Sequence, residues 1–226
     1  MSDLELVEGN AKLVEDERGL SLVEGDLVLR GDFTRLLNRI RPANLGRELL
    51  VKAAKPRSLG PDPVAVDATA GLGEDALLLA AAGFSVRLVE RNPQVAALLR
   101  DALRRGQENP RLAPAIARME LVEGDSLEVL PRLDAPPDLI LLDPMFPARR
   151  KSAASKKKMQ LFQHLECPCD VEEALLHAAI AARPRKVIVK RPVRGPHLAG
   201  VKPAYAITGK TVRYDCIVLP RDGRGQ

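Results

Sequence analysis

The sequence predicts an α/β fold in which a mostly parallel sheet carries helices on both faces. Three observations point there. From residue 64 onward, strand-like apolar runs alternate with segments of helical period. Most of those runs are continuously apolar, as strands buried on both faces are. The last two runs, "AYAIT" and "VRYDCIVLP", joined through Gly209-Lys210, read as an antiparallel pair that closes one edge. Five parallel candidates and this pair make seven strands, and 226 residues suffice to bury their core.

Each element has its own signal. "LELVE", "AKLVE", "LSLVE" and "LVLR" are short alternating runs between Gly-Asn, Glu-Arg-Gly and Gly-Asp turns, which predicts a small β appendage over residues 1–32. Residues 33–63 read as a helical lead-in, "FTRLLNRIRPANLGRELLVKAAK", broken at Pro42 and followed by the Pro/Gly-rich linker "PRSLGPDP". The main domain spans residues 64–226. It opens with the strand and turn "VAVDATAGLG", then the helix "EDALLLAAAG", ended by Gly83. "FSVRLVE" is the second strand. Asn92 caps the next helix, "QVAALLRDALRRG", with Pro93 at its first position. "MELVEGDS", "PDLILLDP" and "RKVIVKRP" supply three more strands, with the helix "DVEEALLHAAIAAR" between the last two.

Charge is segregated along the chain. Residues 1–30 hold eight acids and three cations, whereas Pro144–Leu165 holds six cations and no acid, and Ala174–Tyr214 nine cations and no acid. With a net charge of +5, this predicts a basic face for a polyanion, against the blander reading of a merely soluble basic protein. No apolar run has the length of a membrane span, and the acidic "MSDLELVEGN" is unlike a secretory signal. Three cysteines, Cys167, Cys169 and Cys216, argue against a disulfide framework and for a reducing cytoplasm. Cys167-Pro168-Cys169 is at most half of a metal site, and no second pair of ligands accompanies it, so no metal is expected.

In such sheets ligands bind beyond the carboxyl ends of the strands, at the point where strand order reverses. Three of these ends carry a ligand's chemistry. Asp67 precedes a turn whose Gly71 and Gly73 allow tight geometry and close approach. Glu90, 17 residues after Gly73, can accept two hydrogen bonds from ribose hydroxyls. Asp125 and Ser126 can hydrogen-bond an adenine edge. Gly71-x-Gly73-x-x-Ala76 also fits a dinucleotide fingerprint, so an NAD-dependent oxidoreductase stays open, as does a turn needing glycine for geometry alone. Two details favour S-adenosylmethionine. The turn opens with Ala68-Thr69-Ala70 instead of glycine, and Glu74 and Asp75 at the helix start repel a pyrophosphate but attract an amino or sulfonium group.

The fourth strand ends in Asp143-Pro144-Met145-Phe146, a variant of the Asp/Asn-Pro-Pro-aromatic motif of amino-group methyltransferases. The amine of a nucleobase is a poor nucleophile because its lone pair is delocalised into the ring. A carboxylate at Asp143 and the carbonyl of Pro144 can accept both N–H hydrogens and aim the lone pair at the methyl group. Phe146 can stack on the base. Catalysis is then mostly positioning and electrostatics, with no strong general base required. The competing reading, a proline-closed strand with Phe146 in the core and Asp143 as a cap, leaves the acids at successive strand ends without a purpose.

These segments together resemble the ribosomal RNA small subunit methyltransferase J family. The resemblance rests on "DATAGLGEDA", "RLVERNPQVAALL", "LDPMFPARRKSAASKKKMQLFQ" and "VIVKRP", with "RGDFTRLLNRIRPANLGRELLVKAAK" as the lead-in, and covers most of residues 64–219. It implies a Rossmann-like class I S-adenosylmethionine-dependent methyltransferase fold, and methylation of the exocyclic N2 of a guanosine in 16S rRNA, free or in the small ribosomal subunit. It also implies cofactor contacts at Glu74, Asp75, Glu90, Arg91, Asp125, Ser126 and Asp143. Glu74 departs from the arginine, and Asp125 from the serine, that the family pattern leads one to expect. The remaining block, "RRKSAASKKKM", places Arg149, Arg150, Lys151, Lys156, Lys157 and Lys158 beside the catalytic strand end, where they can neutralise phosphates; Lys190 and Arg191 are further candidates. Residue chemistry alone leaves amines of other RNA or DNA bases open, and a non-catalytic RNA-binding protein on the same fold.

Overall fold

The computed structural model describes residues 11–54, 60–144 and 170–220. The predicted strand "LELVE" lies outside them. Its three successors form an antiparallel sheet in the order β1 (Lys12–Asp16), β2 (Gly19–Glu24) and β3 (Leu27–Leu29). This small sheet does not stand apart. Leu22 and Leu29 are buried against Leu72, Val95 and Leu98 of the main body. Its turn is tied down as well, because Leu20 N donates to Asp101 Oδ2 at 2.9 Å.

The lead-in is more broken than its helical period suggests. A 3₁₀ turn at Phe33–Leu36 is capped by Asp32, whose carboxylate accepts from Thr34 N. Then come α1 (Pro42–Leu45) and α2 (Leu49–Ala54). Pro42 starts a new helix because it cannot continue the old one. Arg39 and Glu48 bridge the interruption with two hydrogen bonds of 2.9 and 2.7 Å.

The main sheet has seven strands. β4 (Val64–Asp67), β5 (Ser85–Glu90), β6 (Met119–Glu123), β7 (Leu139–Leu142) and β8 (Lys186–Pro192) run parallel. β9 (Tyr205–Thr208) and β10 (Val212–Val218) form the expected hairpin, with β10 antiparallel to β8. The order is β6-β5-β4-β7-β8-β10-β9, so the chain reverses direction of travel between β4 and β7. The helices are α3 (Glu74–Ala81), α4 (Pro93–Gln107), α5 (Ala113–Ile116), α6 (Ser126–Val129) and α7 (Asp170–Ala181). Asn92 caps α4 by accepting from Gln94 N and Val95 N, as its position before Pro93 predicts.

Side-chain alternation along the central strands splits the core in two. Leu139 and Leu141 join Leu77, Leu78 and Phe84 on the α3 side, while Ile140 and Leu142 join Val187, Val189 and Leu176 on the α7 side. All four residues of β7 are buried, each burial worth about 1.5–3 kcal/mol. The strand that ends in Asp143 is therefore anchored from both faces. Its register aligns Asp67 with Leu141, and Leu142 with Val189, so the carboxyl ends of β4, β7 and β8 open into one crevice at the reversal point.

Candidate active site

Two acids are built into the sheet where strand order reverses. Asp67 ends β4 almost fully buried, and its Oδ1 accepts from Thr69 N at 3.2 Å. Burial pushes its carboxyl up to about 8, with Asp75 and Asp143 adding to the effect and the Thr69 hydrogen bond opposing it. Asp143 follows β7, and its backbone N donates to Thr69 Oγ1 at 2.6 Å. Thr69 thus fixes the end of β7 to the glycine turn that follows β4. The sequence reading missed this role; the only signal was a hydroxyl residue inside the turn.

Lys190 of β8 joins these acids. Its Nζ donates to Asp75 Oδ2 at 2.7 Å and to Asp143 Oδ2 at 2.8 Å. Burial works against the ammonium, yet Asp143 and Asp75 outweigh it and hold its pKa well above the usual lysine range. Desolvation raises the Asp143 carboxyl while Lys190 pulls it down and Asp75 pushes it up. The expectation that Lys190 faces RNA phosphates meets a lysine already held between two carboxylates.

Arg191, one residue on, points to the other face of the sheet. Its side chain is only 2% exposed; Nε donates to Pro196 O at 2.9 Å and Nη1 lies 3.6 Å from Glu172 of α7. The period-2 alternation of a strand is the reason: neighbours on β8 cannot serve the same surface, so Arg191 is placed for structure and not for phosphate contact. Arg213 extends that framework. Its Nη1 donates to the carbonyls of Pro192, Val193 and Gly195, and its Nε to Asp215 Oδ1, which fixes the loop following β8.

The cofactor-binding candidates separate into distinct roles. Glu90 ends β5 buried, accepting from Gly71 N at 2.9 Å and Asn92 N at 2.8 Å. Burial raises its carboxyl, and these two backbone bonds oppose the rise. The two glycines differ. Gly71 has φ +53°, and a Cβ there would meet nothing within 4 Å, which is the open side a ligand can approach. Gly73 has φ +73°, and its Cβ would stand 2.8 Å from Leu99 Cδ1, so packing requires that glycine. Glu74 and Asp75 form the first turn of α3, where the helix dipole favours acids. Arg91 is exposed beyond Glu90. Asp125 caps α6 by accepting from Leu127 N, and buried Ser126 donates its hydroxyl to Ala68 O at 2.7 Å. The Ser126 hydroxyl therefore stitches the first and third strand ends together. Pro144 is buried. Phe146, Arg149, Arg150, Lys151, Lys156, Lys157 and Lys158 lie outside the described residues.

The donor set suits a cationic nucleoside. Among the described residues, Asp75 and Asp143 face the ammonium of Lys190 in the crevice, and buried Asp67 and Glu90 add carboxyls that a bound cation would ionise, an arrangement that suits a sulfonium or amino group and not a pyrophosphate. The Glu90 carboxylate has lone pairs beyond the two backbone bonds it accepts, as ribose hydroxyls require. The residues thus fit S-adenosylmethionine and not a dinucleotide. Among the described residues there is no group of three His, Cys, Asp or Glu able to hold a metal ion, and no helix long and apolar enough to cross a membrane.

Comparison with known proteins agrees. A family model described as "Putative SAM-dependent methyltransferase" matches residues 7–219. A ribosomal RNA small subunit methyltransferase J from Neisseria gonorrhoeae is 43% identical over 192 residues, 84% of this chain and 75% of that protein. One of the same name from Rhodopseudomonas palustris is 52% identical over 159 residues, 69% of this chain and 72% of the relative. The crystal structure of a SAM-dependent methyltransferase from Neisseria gonorrhoeae superposes with a TM-score of 0.76 at 35% identity, covering 95% of this chain and 85% of that one. The class I fold, the reversal-point crevice with its acids and these likenesses agree: the chain belongs to the ribosomal RNA small subunit methyltransferase J family of S-adenosylmethionine-dependent methyltransferases.

Proposed function

We propose that this chain methylates the exocyclic N2 amine of a guanosine in 16S rRNA, on free RNA or in the small ribosomal subunit. The observation that carries the proposal is Asp143, an acceptor carboxylate at the reversal point, held beside Asp67 and Asp75 and followed by Pro144. The relatives' name supplies the RNA.

When bound, S-adenosylmethionine supplies an electrophilic methyl on a sulfonium. Everything else is the work of the chain. Glu90 accepts from the ribose hydroxyls, while Asp67 and Asp75 offset positive charge. Asp143 and the carbonyl of Pro144 accept the two N–H hydrogens of the amine, drawing its lone pair out of the ring and toward the methyl. This is catalysis by alignment and fixed electrostatics. Asp143, or water beyond it, takes the proton that the methylated nitrogen sheds. The crevice reaches only an unstacked base, and Phe146 is assigned to hold that base. The basic residues Arg149, Arg150, Lys151 and Lys156–Lys158 are assigned to the flanking phosphates, together with exposed Arg194 in the loop after β8.

The test is transfer of labelled methyl from S-adenosylmethionine to small subunits from cells lacking this protein. Label is expected in 16S rRNA alone, recovered as N2-methylguanosine. Label in another nucleoside, or none in rRNA, would refute the assignment.

A further inference from the structure

We propose that Lys190 is a positioning residue for methyl transfer, acting through Asp143 by aiming its carboxylate at the amine and keeping it an acceptor. This rests on the reading of Asp143 as the amine's acceptor. Three observations support it.

The first is geometry. Val189 of β8 pairs with Leu142 of β7, so Lys190 stands beside Asp143, on the face of β8 shared with Tyr214 and α3. Its ammonium fixes Oδ2 of Asp143 at 2.8 Å. Thr69 fixes the backbone of the same residue at 2.6 Å. With both ends held, Oδ1 is the carboxylate oxygen left for an amine, among contacts of the described residues. An acceptor confined in this way aligns a lone pair far better than a freely rotating carboxylate.

The second is charge. Around Asp143 stand Asp75 on α3, Asp67 on β4, Lys190 and Arg191 on β8 and Tyr214 on β10, with Arg39 of the lead-in facing Asp75 and Tyr214. Two carboxylates, Asp75 and Asp143, therefore share one ammonium at contact distance, with Asp67 nearby as a third carboxyl, while Arg191 is turned to the opposite face and paired toward Glu172. Without Lys190, desolvation and the Asp75 charge favour the protonated form of Asp143. A protonated carboxyl would present a donor to an amine that needs an acceptor.

The third is accessibility. The Lys190 side chain is 25% exposed and two of its three donors are engaged by carboxylates. A phosphate would have to displace both, which makes RNA contact a poor account of this lysine.

The test compares wild type, Lys190→Met and Lys190→Arg, with Asp143→Asn to assign the Asp143 signal. Carboxylate ¹³C NMR follows Asp143 through a pH titration, and single-turnover methylation of small subunits is followed over the same range. In Lys190→Met, Asp143 should titrate at higher pH than in wild type. Its transfer rate should fall about 100-fold near neutral pH and recover partly on the alkaline side, with KM for S-adenosylmethionine little changed. Lys190→Arg should regain most of the rate. If Lys190→Met does not fold, Lys190→Gln carries the same titration. An unmoved Asp143 titration, or a rate loss equal at every pH that arginine does not rescue, would overturn the inference. If wild type leaves 16S rRNA unmodified while the Asp143 titration moves as expected, the functional reading falls and the Lys190–Asp143 coupling stands.

Discussion

Glu90 Oε2 accepts a hydrogen bond from Gly71 N at 2.9 Å, so the end of the second parallel strand grips the turn that follows the first. The same carboxylate accepts from Asn92 N through Oε1, linking the turn to the start of α4. Glu90→Gln puts an amide donor against one of these N–H groups, leaving it unsatisfied. Affinity for S-adenosylhomocysteine is expected to fall at least about tenfold, and the melting temperature by a few degrees. Calorimetry and thermal melting check both. Wild-type affinity in this variant would show that Glu90 serves the turn alone.

The two glycines of the turn should fail differently. Gly73→Ala places a methyl 2.8 Å from Leu99 Cδ1 in a left-handed backbone, and should cost about 3 kcal/mol in urea unfolding. Gly71→Ala meets no neighbour, so only the backbone penalty of about 1–2 kcal/mol applies. Its larger loss should be in cofactor affinity, because the new methyl occupies the open side of the turn.

Asp143→Asn keeps the size of the side chain but makes one of its two acceptor oxygens a donor. Transfer is expected to fall about 10²- to 10⁴-fold in single-turnover assays, with S-adenosylhomocysteine still bound. The fold should persist, because the anchoring bond from Asp143 N to Thr69 involves the backbone. A variant with full activity would remove the proposed mechanism.

Asp67 predicts a pH dependence. Its carboxyl is raised to about 8, chiefly by burial. The folded state therefore holds a proton that the unfolded chain releases. The stability this contributes is fully present below the ordinary carboxylate range and is lost as pH rises through about 8. Asp67→Asn retains an acceptor for Thr69 N but cannot ionise. Its melting temperature, relative to wild type without cofactor, should gain between about pH 5 and about pH 9. A difference that stays constant would contradict the assignment. A bound cation favours ionised Asp67, so S-adenosylmethionine binding near neutral pH should release a proton, read by calorimetry in buffers of different ionisation enthalpy.

The sheet was legible because its signals are local. The apolar run of β7, the Asn92-Pro93 start of α4 and the terminal hairpin each announce themselves within a few residues. The lead-in was less legible: the break at Pro42 could be read, but the 3₁₀ form of the first piece and the second interruption around Gly46, which leave a 3₁₀ turn and two short helices, could not. In the site, acids at strand ends pointed to the crevice. The partners each side chain takes did not follow from sequence. Lys190 and Arg191 are neighbours in a basic stretch, and only the pleat of β8 sends one to the acids and the other to Pro196 and Glu172. The Thr69–Asp143 bond joins residues 74 apart, a pairing set by strand order.

The most direct test of the central claim is nucleoside mass mapping of 16S rRNA from cells with and without this protein. Loss of one N2-methyl group from a single guanosine, restored by the wild-type chain but not by Asp143→Asn, is the predicted result. An unchanged methylation map, or restoration by Asp143→Asn at the wild-type level, would contradict it.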